Sequence, residues 1–129
     1  MFNLETTIEK SKAKLMNPVV LAYIGDAVYT LFAREKLAFC GDMKVSDLHT
    51  RVSNEVRATA QADLADKLMP VLTEEEADVF RRARNAKKGT RAKSASVAEY
   101  NKSTGLEAVF GYLYIIGEHE RLNYLLNLE

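Results

Sequence analysis

The chain has 129 residues, 47% of them hydrophobic, and its 18 basic and 18 acidic side chains cancel to a formal net charge of zero. That length supports one domain with one core, and that apolar content excludes a disordered polymer. A single cysteine, Cys40, excludes an internal disulfide or a multi-cysteine zinc site and points to a reducing cytoplasm.

The opening residues, MFNLETTIEK, lack a basic segment followed by an apolar run, so no secretory leader is expected. The longest apolar stretch falls short of the ~20 residues a membrane span needs. Helical periodicity runs through nearly the whole sequence and predicts an all-α fold, one domain over residues 1–129. A first amphipathic helix is expected over about residues 4–15. Asn17 then reads as an N-cap with Pro18 at the first helical position, opening a helix to about Leu37. Val20, Ile24, Val28 and Leu31 form one apolar stripe of it, and its other sides are also small or apolar. A helix apolar all round is expected to be central and buried.

Phe39 to Lys44 (FCGDMK) reads as a turn, and Ser46 as the cap of a long helix that breaks near Thr59 and ends at Pro70. Its Leu48, Val52, Val56, Leu64 and Leu68 should point inward. Thr73 with Glu76 fits a capping box that opens a helix to about Ala86. Lys87 to Ala95 (KKGTRAKSA) reads as a loop, after which Ser96 and Glu99 form a second capping box. Gly117 ends the helix so opened, and Leu122, Leu125 and Leu126 mark a short last one.

Two apolar stretches each contain one charge. PVVLAYIGDAVYTLFA (Pro18 to Ala33) holds Asp26, and TGLEAVFGYLYIIG (Thr104 to Gly117) holds Glu107. Burying an unpaired carboxylate costs several kcal/mol or forces it to take a proton, and two together repel unless a cation lies between them. The pair therefore points to a small acidic site for a divalent metal, with Asp26 inside the fold or on the floor of a cleft. Gly25, costing ~1 kcal/mol against alanine in a helix interior, implies a close approach at that point. Ser103 and Thr104 before Glu107, and Gly111 after it, leave room for metal-bound waters or a phosphate. The plainer alternative is a buried aspartate that caps a helix or pairs with an arginine.

Charge is unevenly placed. From Val79 to Ala98 there is no acidic residue, while Arg81, Arg82, Arg84, Lys87, Lys88, Arg91 and Lys93 all fall there. Such a run is often just a solvated face, but here it leads into a helix N-terminus, which itself attracts phosphate. A local basic field of this kind suits nucleic acid even on a neutral protein. His49 and His119 have no histidine partner at helical spacing and form no zinc motif.

YIGDAVY (Tyr23 to Tyr29), RRARNAK (Arg81 to Lys87), EYNKSTGLEA (Glu99 to Ala108) and FGYLY (Phe110 to Tyr114) together resemble mini-ribonuclease III, over nearly the whole chain and in the right order. That family is the ribonuclease III catalytic domain without its double-stranded-RNA-binding domain. The resemblance implies an all-helical homodimeric endonuclease that cuts double-stranded RNA with magnesium, manganese substituting, and leaves 5′-phosphate and 3′-hydroxyl ends. It implies precursor 23S ribosomal RNA as substrate. By position, Asp26 matches the catalytic aspartate of the GDA element and Glu107 the metal-binding glutamate of the LEA element. Larger ribonuclease III enzymes carry two further carboxylates, at positions that hold Ala22 and Thr104 here, so one metal per site is expected. With no separate binding domain, Arg84, Lys87, Lys88, Arg91 and Lys93 are expected to grip the RNA. The rival expectation is a non-catalytic helical RNA-binding or scaffold protein that kept the fold.

Overall fold

A computed structural model describes Glu5, residues 7–88 and residues 95–128, which form seven α-helices and contain no strand. They are α1 (Lys10–Leu15), α2 (Pro18–Ala38), α3 (Val45–Val56), α4 (Ala58–Leu68), α5 (Glu74–Asn85), α6 (Val97–Ile115) and α7 (His119–Leu126), with a 3-10 turn at Met69–Val71. The all-α expectation holds.

Local signals set most of the boundaries. The Asn17 side chain accepts from the Val19 N–H, and Pro18 opens α2. Both capping boxes are formed: Thr73 with Glu76 at α5, Ser96 with Glu99 at α6. Three boundaries differ from the sequence reading. Lys44, not Ser46, stands at the N-cap of α3, and Ser46 lies inside the helix. The long helix breaks at Arg57, where the backbone turns extended between α3 and α4, slightly before Thr59. The first helix starts later than expected: residues 7–9 are not helical, Glu9 is extended, and α1 begins at Lys10.

The buried centre is α6, on which α2, α4 and α5 pack. Residues from Ser103 to Leu113 are inaccessible except Glu107, and Leu106, Val109, Phe110 and Leu113 join Leu21, Leu68, Val79, Phe80, Leu122 and Leu125 in the core. The expectation that α2 is buried all round is corrected. Its inner face is Leu21, Ala22, Gly25, Tyr29 and Ala33, whereas Val20 and Leu31 face outward. Gly25 on that face lets the two helix backbones meet.

The meeting point is a pair of glycines. A Cβ built on Gly25 would fall 1.6 Å from the Glu107 carbonyl oxygen, and one on Gly111 would fall 2.0 Å from the Leu21 carbonyl oxygen. Leu21 faces Gly111 while Gly25 faces Glu107, so the two helices run antiparallel in near backbone contact. At the far end, the Arg121 guanidinium on α7 donates to both Glu76 carboxylate oxygens at 2.8 Å, tying α7 to the start of α5. Beyond the opposite end of α5, Lys88 lies beside Tyr100, Thr104 and Glu107 of α6.

Candidate functional site

The glycine contact decides where the two lone carboxylates go. Because Gly25 lies on the Glu107 backbone, the next residue of α2, Asp26, brings its carboxyl group into hydrogen-bonding reach of the Glu107 side chain. The two acids line one open cleft of about 320 Å³ with Val19, Ala22, Tyr23, Lys88, Tyr100 and Thr104. Asp26 itself is solvent-exposed. Its position in a cleft agrees with the sequence reading; its burial does not, because α2 has an open side.

Glu107 is the less exposed partner, half-buried on α6. Burial, the hydrogen bond with Asp26 and the Asp26 charge push its carboxyl group up to about 9, against an ordinary 4.5, and a hydrogen bond from Gln61 only partly offsets this. Gln61 donates from Nε2 to Glu107 Oε2 at 3.3 Å and to the Val56 carbonyl at 2.6 Å. Nothing singled out Gln61 in the sequence. The signal was its register: it shares the inward stripe of α4 with Ala65 and Leu68, where an amide is out of place.

Other expected residues divide. Thr104 lines the cleft, but its hydroxyl, like that of Ser103, donates to the Tyr100 carbonyl within α6, and Ser103 does not line the cleft. Gly25 makes the close approach expected of it, whereas Gly111 serves the same helix contact and leaves no room for a ligand. Lys88 reaches the cleft wall, where its ammonium donates to the Arg84 and Ala86 carbonyls at 3.0 and 2.7 Å and burial lowers its pKa. Arg84 donates to the Asn85 side chain near the end of α5, and Lys87 is exposed; neither lines the cleft. Arg91 and Lys93 lie outside the described residues.

The donor set suits a hard dication. The cleft offers carboxylate and hydroxyl oxygens but no imidazole or thiolate, which favours magnesium or manganese over zinc. Among the described residues no cluster of three or more His, Cys, Asp or Glu side chains occurs, so most positions around such an ion fall to water or phosphate. Ala22 and Thr104, where larger enzymes by resemblance carry acids, line this same cleft.

A pH dependence follows. With Glu107 raised to about 9 in the folded protein, stability is fully present below about 4.5 and is lost as pH rises through 9. In chelator, the melting temperature should therefore fall between pH 5 and pH 9. Magnesium, which favours the ionised carboxylate, should flatten that slope and stabilise most at high pH. A melting temperature that does not move with pH in chelator would contradict the paired geometry.

Comparison with known proteins places the fold in one class. Residues 19–118 match the Ribonuclease III domain family. The chain belongs to that family, and it is a ribonuclease III-type endoribonuclease. Among its relatives, Mini-ribonuclease 3 of Symbiobacterium thermophilum is 53% identical over 84% of this chain and 84% of that protein. Mini-ribonuclease 3 of Clostridium tetani is 45% identical over 92% of this chain and 80% of its own length. A crystal structure of a Fusobacterium nucleatum protein superposes with a TM-score of 0.80 at 31% identity, covering 86% of this chain and 90% of that one.

Proposed function

We propose that this endoribonuclease is magnesium-dependent and cuts double-stranded RNA, with Asp26 and Glu107 as the residues that hold the ion. The observation that carries this reading is the carboxylate pair in one cleft, where burial and the neighbouring Asp26 disfavour the ionised form of Glu107 and a cation would relieve it. A bound magnesium ion supplies an acidified water and charge neutralisation at the phosphate. The chain's own contribution is to fix the two acids by the Gly25 contact and to offer the Lys88 ammonium to a phosphate in the same cleft. The RNA would be a duplex in precursor 23S ribosomal RNA, recognised mostly by shape and backbone.

Two strands need two clefts. The outward face of α2 carries Val20, Tyr23, Ala27 and Leu31 at helical spacing, and Tyr23 is 80% exposed. A homodimer across this face would cover that apolar surface, and Tyr23, which also lines the cleft, would sit at the edge of both. Among the described residues no helix is long and apolar enough to cross a membrane. A cytoplasmic location suits the single, exposed, unpaired Cys40.

The direct test incubates the pure protein with a labelled RNA duplex, with and without magnesium. Metal-dependent double-strand cleavage is expected, and a protein that binds the duplex without cutting it would leave the scaffold reading standing. The grip is tested separately. Replacing Lys87, Lys88, Arg91 and Lys93 by alanine should weaken binding to all duplexes and flatten its salt dependence. On the scale of B-DNA the log–log slope should change by roughly 0.9 for each phosphate no longer neutralised. Unchanged affinity and slope would return these residues to the role of solvated charge.

A further inference from the structure

We propose that Gln61 is a positioning residue for Glu107: its amide, anchored on the Val56 carbonyl at the break between α3 and α4, holds Glu107 Oε2 and keeps that carboxylate in one orientation toward the metal. The proposal rests on the metal-dependent reading of the cleft.

Three features carry it. First, Gln61 is only 2% exposed and links α4, on which it sits, to two other elements: Nε2 gives one hydrogen to the last carbonyl of α3 and the other to α6. Second, its orientation is determined. Turning the amide over would set Oε1 against the Val56 carbonyl oxygen at 2.6 Å, oxygen against oxygen. Third, Oε1 is buried with no hydrogen-bond partner among the described residues. Leaving such an atom unsatisfied is costly, and a methionine or leucine would fill the space without that cost. Packing alone does not account for a glutamine here. Closing α3 accounts for one of its two N–H bonds; the second has no purpose except at Glu107.

Groups that hold a metal ligand in place typically contribute 10–100-fold to metal affinity. The experiment uses manganese as the probe, titrated calorimetrically into wild type, Gln61→Met, Glu107→Gln and the double variant, with melting temperatures recorded alongside. Gln61→Met is expected to bind manganese about tenfold more weakly and to need correspondingly more magnesium for half-maximal cleavage. In the Glu107→Gln background, Gln61→Met should have no further effect on manganese binding, because the held group is gone. Gln61→Asn, which keeps an amide but is one methylene short, should shift affinity in the same direction and guards against a methionine variant that fails to fold. Wild-type affinity in both Gln61 variants would overturn the proposal and leave Gln61 as a helix cap. A loss that persists in full without the Glu107 carboxylate would overturn it too. A wild-type protein that binds no manganese overturns the metal reading itself, a result that differs from either.

Discussion

Asp26→Asn is expected to reduce cleavage of duplex RNA by at least about a thousandfold, or ~4 kcal/mol of activation barrier, without loss of fold. Asparagine keeps the shape and one oxygen but removes a carboxylate from the pair. Asp26 is solvent-exposed on α2 and contributes nothing to the core, so its replacement opens no cavity. It also removes two of the influences that raise Glu107, the hydrogen bond and the charge. The metal-free variant should therefore be as stable as wild type or slightly more so at neutral pH, while the stabilisation by magnesium expected for wild type should be lost. Stable and inactive is a pattern a merely structural aspartate does not produce. Cleavage close to the wild-type rate would remove Asp26 from the chemistry.

What could be read in the sequence was what neighbouring residues decide among themselves. Asn17 before Pro18, Thr73 with Glu76 and Ser96 with Glu99 are hydrogen-bonding contracts closed within a few residues, and all three are kept. The two acids in apolar runs were also legible, because a lone carboxylate there demands an explanation wherever the helices go. The exposure of Asp26 was not. Apolarity on every side of α2 says that each face avoids water, not whether the covering surface belongs to the same chain. Gly25 announced a close approach but not its partner, the Glu107 carbonyl, which only the packing of α2 on α6 identifies. Gln61 was marked only by its register, and its role was hidden for the same reason: its hydrogen bonds reach the end of α3 and the middle of α6. The break at Arg57 has neither glycine nor proline to mark it.

Gly25→Ala tests the contact on which both the fold and the cleft depend. In an ordinary helix interior the change stabilises by ~1 kcal/mol, since alanine is the better helix former. Here the new Cβ would lie 1.6 Å from the Glu107 carbonyl oxygen, 2.5 Å from its carbon and 2.8 Å from the Gly111 nitrogen. All three are backbone atoms, so no side-chain rotation relieves the clash, and α2 must move off α6. Overpacking that shifts backbones costs about 1–3 kcal/mol, occasionally more, and displacement of the central helix pair belongs at the upper end. At several degrees per kcal/mol for a chain of this size, the melting temperature should fall by roughly 10 °C or more. The same movement carries Asp26 away from Glu107, so metal affinity and cleavage should fall together even below the new melting point. Gly111→Ala, whose Cβ would meet the Leu21 carbonyl oxygen at 2.0 Å, should behave alike. If Gly25→Ala melts at or above the wild-type temperature, α2 and α6 do not approach as closely as this geometry requires, and the placement of the carboxylate pair goes with it.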